Sequence, residues 1–196
     1  MELPDDRTLV GEVLAGDKQA YAGIVDRYKN KLYGLFRKMG LPEADAQDLT
    51  QETLFKAYRK LASHRPEQSF SGWLHAIALN LYRDRGRRMV PVPQAESGHQ
   101  AAPEAGAPES LALRRELRSE LDRLLDTLPE HYRLAMVLRY VGQLSHEEIA
   151  ELTGMTAPQV NNALHRAKRS LRKKMTAKEE HTYEFSAAYR SGKNRS

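Results

Sequence analysis

The sequence predicts an all-α protein: two small helical domains joined by a flexible linker, the second containing a helix-turn-helix. Three observations lead there. Apolar residues recur at three- and four-residue intervals along most of the chain, and no persuasive alternating strand interrupts them. The stretch from Val90 to Ser110 holds four of the nine prolines, three acids and no Lys or Arg, the composition of a tether. Leu144 to Lys174 reads as two helices around a single glycine, each with its own capping signature. The division is therefore 1–90, a linker at 91–110, a second domain at 111–175, and a tail at 176–196 expected to lack regular structure.

Taken in order, Thr8 to Ala15 and Lys18 to Met39 carry apolar residues at helical spacing and close on Gly40 and Pro42. The next helix runs from about Pro42 to Leu61. Asp45, Asp48 and Glu52 lie three and four residues apart, so they share one face, while Leu49, Thr53, Ala57 and Leu61 supply packing. The acids suit the helix dipole and equally suit a basic protein partner, and the residues alone leave both readings open. Beyond a polar loop broken by Pro66, Phe70 to Arg88 forms another helix. Phe70, Trp73, Leu74, Ile77, Ala78 and Leu81 make its apolar stripe, with Trp73 read as core. Asn80, Arg83 and Arg87 lie opposite and, with Arg85 and Arg88, form a cationic surface broken only by Asp84. Such a helix end beside a polar loop and aromatics suits single-stranded nucleic acid.

The linker, about 20 residues, spans on the order of 65 Å when extended, roughly two turns of DNA. After it, Leu117, Leu121, Leu124, Leu125 and Leu128 define a helix stopped by Pro129, and Leu134, Val137, Leu138 and Val141 define the next, closed by Gly142. Ser145 and Glu148 then form a capping box, Gly154 sits where the chain leaving a helix needs positive φ, and Thr156 with Gln159 forms a second box. Val160, Leu164, Ala167 and Leu171 point inward. The other face carries Gln159, Asn161, Asn162, His165, Arg166, Arg169, Arg172 and Lys173. From Asn161 to Met175 there are six Lys/Arg and no acid. Amides read base edges and cations hold phosphates, so this helix has the layout of one that enters a major groove.

Composition narrows the function classes. The net charge is +5 and the pI about 9.4, the direction expected of a nucleic-acid binder. There are no cysteines, which excludes disulfides and thiolate metal sites and fits a reducing compartment. MELPDDRTLV is not a secretory leader, and no apolar run approaches the roughly 18 residues of a membrane span. We expect a cytoplasmic protein. The seven histidines are scattered, with no phosphate loop and no Ser/His/Asp set, so no catalytic residue, metal or cofactor is expected.

Four segments in order resemble a known family: DAQDLTQETLFKAYRKL, FSGWLHAIALNLYRDRGRR, LPEHYRLAMVLRY and LSHEEIAELTGMT followed by LHRAKRSLRK. The match covers about Gly16 to Lys174 and is to RNA polymerase sigma factors of the extracytoplasmic-function (ECF) subfamily. The resemblance implies a protein that binds bacterial core RNA polymerase, directs it to promoters and helps open the DNA. It implies polymerase contacts at Asp45, Asp48, Gln51 and Glu52. Lys56, Arg59, Asn80, Arg83 and Arg87 would meet the melted minus-ten strand. Gln159, Asn161, Asn162, His165, Arg166 and Arg169 would meet the minus-thirty-five duplex. An anti-sigma factor is the implied regulator.

The sequence departs from that pattern in two places. Gln47 stands where the family often has Glu, and some relatives with depleted acid here are activated by threonine phosphorylation, for which Thr50 is the nearby hydroxyl. Asn161, Asn162 and Ala163 replace a common Lys, Ser and Arg, a loss of two cations worth roughly 0.9 each in salt slope. Asn prefers adenine edges, at about 1–3 kcal/mol of discrimination per good pair, so no consensus transfers. The rival reading is a stand-alone helix-turn-helix regulator, which has no need for an acidic docking helix beside a cationic one.

Overall fold

The computed structural model describes the backbone of residues 4–88 and 108–192, and the side chains of 4–87, 116–117 and 119–176. Among the described residues there are helices and no strand: α1 (Asp6–Leu14), α2 (Tyr21–Lys38), α3 (Glu43–Lys60), α4 (Phe70–Arg88), α5 (Pro108–Asp126), α6 (Glu130–Tyr140), α7 (His146–Thr153) and α8 (Ala157–Gly192). The linker expected at 91–110 lies mostly outside the described residues, and its last three belong to α5. Pro108 opens that helix, where its fixed φ fits and its missing N–H is not needed.

Helices α1 to α4 pack as a bundle. Asp5 caps α1 by accepting from the Thr8 N–H at 2.8 Å, a bond that holds its carboxyl below the ordinary range. Ile24, Leu32, Leu35 and Phe36 of α2 are fully buried against Ala46, Leu49 and Ala57 of α3 and Leu74 and Ala78 of α4. The buried hydroxyls of Thr50 and Thr53 donate to the carbonyls four residues back, Ala46 and Leu49, at 2.7 and 2.6 Å. Thr50 is 6% exposed, so no kinase reaches it in this arrangement. Tyr21 donates to the Leu54 carbonyl at 2.6 Å, and burial pushes its phenol up to about 12.

The helix-turn-helix forms as its punctuation predicts. Ser145 and Glu148 complete the capping box of α7, Gly154 leaves it at φ 74°, and Gln159 and Thr156 close the second box at 2.8 and 3.4 Å. Val160, Leu164, Ala167 and Leu171 are buried, and so is Ala163. Of the two lost cations, one therefore sits at a position that faces the core, and only Asn161 is an exposed loss. The tail differs from expectation: α8 continues through Gly192. Residues 176–192 contain no proline, and their Ala and Glu residues favour carrying the helix forward until glycine.

The two halves share one hydrophobic cluster running from Leu9 to Leu164. Helix α4 is the reason. Leu79 and the neutral His75 ring, 1% and 0% exposed, form a second buried side toward the C-terminal half. A Cβ on Gly142 would meet the His75 Nε2 at 3.0 Å, one on Gly72 the Glu148 carboxylate at 3.2 Å, and one on Gly34 the Val141 methyl at 3.1 Å. Lys31 donates to Gln143 at 2.7 Å across the same seam. The His75 Nδ1–H donates to the Ser71 carbonyl at 2.8 Å, leaving the Nε2 lone pair buried without a donor. Burial holds the ring neutral by lowering its pKa.

Candidate nucleic-acid interface

Three exposed faces carry the chemistry. On α3 the Asp48, Gln51 and Glu52 side chains are exposed, whereas Asp45 is committed to an ion pair with Arg85 of α4. The sequence pattern placed Asp45 with the others because helical spacing reports a shared face and not a partner on a neighbouring helix. Three residues beyond Glu52, Phe55 is 62% exposed with the Arg59 guanidinium 5.8 Å from its ring centroid. A wheel drawn through Asp48, Glu52, Phe55 and Arg59 puts all four on one stripe, which was the available signal for Phe55.

On α4, Asn80 and Arg87 are exposed, with Arg87 3.9 Å from Asp84. Arg83 reaches across to the other half and donates to the Leu152 carbonyl of α7 at 3.2 Å. Lys56 is half-buried and Arg59 exposed at the far end of α3, where they line an open cavity of about 450 Å³ with Glu52, Phe55 and Lys60. Trp73 packs against the core, its ring 5.2 Å from His64 and 5.6 Å from Phe70, so it is no free stacking platform.

On α8, Gln159, Asn161, Asn162, His165, Arg166 and Arg169 are all exposed on one side. Gln159, Asn162 and Arg166 line a shallow groove of about 530 Å³ whose far wall is His131 and Tyr132 at the start of α6. The Gln159 carboxamide oxygen is held by the Thr156 N–H, which leaves its NH₂ as the free end. The described residues thus present two separate polar and cationic helical surfaces, on α4 and α8, and an acidic-apolar face on α3.

Comparison with known proteins gives the class. Residues 24–89 match the family described as Sigma-70 region 2, and residues 118–171 match Sigma-70, region 4. The ECF RNA polymerase sigma-E factor of Escherichia coli K12 is 35% identical over 181 residues, covering 87% of this chain and 94% of that protein. The ECF sigma factor SigW of Bacillus subtilis is 32% identical over 176 residues, covering 85% and 94%. Among solved structures, CnrH in complex with the cytosolic domain of CnrY aligns with a TM-score of 0.66 and 27% identity, over 88% of this chain and 97% of that one. The sigma factor RpoE of Bartonella quintana, solved with the anti-sigma factor NepR, shares the fold at a TM-score of 0.60 and 21% identity, over 80% and 96%. The chain belongs to the ECF sigma factors, which bind core RNA polymerase and direct it to promoters.

Proposed function

We propose that the three faces divide the work of promoter selection. The exposed Asp48, Gln51 and Glu52 of α3, with Phe55 as an apolar centre, dock on core polymerase. Asn80, Arg83 and Arg87 of α4, with Lys56 and Arg59, hold the minus-ten strand once it is melted, and so help open the DNA. The exposed face of α8 reads the minus-thirty-five duplex. Residues 1–90 and 111–175 act as the two functional domains with 91–110 between them. Catalysis belongs to the polymerase, and this chain works in the cytoplasm as a specificity factor without its own enzymatic centre. An anti-sigma factor that covers these faces is the expected regulator, as the Bartonella quintana sigma factor RpoE was solved with the anti-sigma factor NepR.

The single observation that carries this reading is the separation of the acidic-apolar face on α3 from the basic face on α8. A DNA-only regulator needs the second and not the first. In this arrangement Arg83 is engaged by α7, so strand capture requires the two halves to part. The test is run-off transcription with bacterial core polymerase on the region upstream of this protein's own gene. A discrete start that depends on the protein supports the reading. Failure to bind core polymerase in the same mixture returns the chain to the stand-alone regulator.

A further inference from the structure

We infer that Tyr132, on α6 and outside the recognition helix, is a positioning residue that sets the aim of Arg166 and thereby the base preference at one step of the minus-thirty-five element. The inference rests on the reading of α8 as the duplex-reading helix and adds to it a residue from another helix.

The geometry is specific. Arg166 lies on the exposed side of α8, one long flexible side chain among several cations. Unlike Arg169, whose guanidinium has no partner among the described hydrogen bonds, the Arg166 Nη1–H donates to the Tyr132 hydroxyl at 3.4 Å. Tyr132 is itself held. Its ring is partly buried between the main cluster and the Leu125–Leu171 cluster, and the His131 ring lies 4.1 Å away, centroid to centroid. A partly buried phenol therefore tethers one end of a guanidinium, and Arg166 lines the same groove as Gln159 and Asn162.

The consequence follows from what arginine does at a base edge. Two parallel N–H donors suit guanine O6 and N7, and that pairing requires the guanidinium plane to be aligned with the base. A free arginine pays rotamer entropy to reach that alignment and serves a phosphate equally well. A tethered one arrives aligned, which favours base reading over nonspecific phosphate contact. Losing the tether should thus weaken discrimination at one base pair and leave the others alone.

The Tyr132→Phe substitution removes the hydroxyl and keeps the ring. Full-length wild-type, Tyr132→Phe and Arg166→Ala chains, each assembled with core polymerase, are used to select DNA from a library randomised across the upstream element. Arg166→Ala should abolish preference at one base pair. Tyr132→Phe should reduce preference at that same pair by about threefold to tenfold, with the thermal midpoint unchanged, and Tyr132→Lys, which cannot accept a hydrogen bond, should do at least as much. Two results overturn the inference: Tyr132→Phe with an unaltered profile, or Tyr132→Phe with binding weakened equally on every sequence. If Arg166→Ala changes no base preference, Tyr132 positions nothing that reads, and the inference fails with it. If wild type shows no upstream preference at all, the reading of α8 fails first.

Discussion

The seam between the two halves and the outer face of α8 are built from opposite materials. At the seam, His75, Leu79, Leu138 and Leu144 are almost without solvent exposure, and glycines at 34, 72 and 142 let the helices approach. On α8, long cations and amides stand in solvent, with Gln159 held by Thr156, Arg166 by Tyr132 and Lys168 set over the Tyr140 ring. Burial makes stability, and exposure leaves chemistry for a partner. A substitution should consequently disturb one or the other, and seldom both.

The largest separation should come from Leu138→Ala. Leu138 is fully buried, so its truncation should lower stability by about 2–5 kcal/mol through lost contacts and a residual cavity. Thermal unfolding measures it, and base preference in the surviving folded protein should be unchanged. Glu52→Lys should do the reverse. The residue is exposed on α3, so the thermal midpoint should hardly move, while affinity for core polymerase should fall by about tenfold or more, near 1.4 kcal/mol. Smaller still is Arg169→Ala. If it contacts phosphate, the salt slope of duplex binding by the holoenzyme should drop by about 0.9 without altering base preference.

The smallest effect concerns pH. His75 is buried neutral, bonded to the Ser71 carbonyl, with Lys31 of α2 and Glu148 of α7 near it. Its folded pKa is lowered, so the unfolded chain binds the proton more readily. The stabilisation is therefore complete above the ordinary histidine value of about 6.5 and is lost as pH falls below it. Thermal midpoints measured from pH 7.5 to 5.5 should fall further for wild type than for His75→Leu. Equal slopes would remove His75 from the account.

Much of this was legible from the residues because the informative signals were local. The capping boxes at Ser145/Glu148 and Thr156/Gln159, the glycine at 154 and the buried stripe of α8 all concern neighbours within a few positions. The start and end of α4 at Phe70 and Arg88 were legible for the same reason. What escaped were contacts between distant segments. Periodicity predicts one buried side for α4, and the second, through His75 and Leu79, exists only because α6 and α7 pack there. A consecutive run from Leu74 to Leu79 without a charge was the faint sign. The Asp45–Arg85 pair and the Tyr132–Arg166 tether were equally invisible to spacing along a single helix. The continuation of α8 past Met175 was hidden because the tail's polarity masks its helix propensity.

The most direct measurement is promoter affinity of the chain alone and of the chain with core polymerase, on the same duplex and at the same salt. The account predicts weak binding with little sequence preference for the free chain, whose halves are packed together with Arg83 engaged by α7. It predicts specific binding once polymerase is present, weakened by Arg87→Ala and, to a smaller and sequence-independent extent, by Arg169→Ala. Tight, sequence-specific binding by the free chain, unaffected by polymerase, would contradict it.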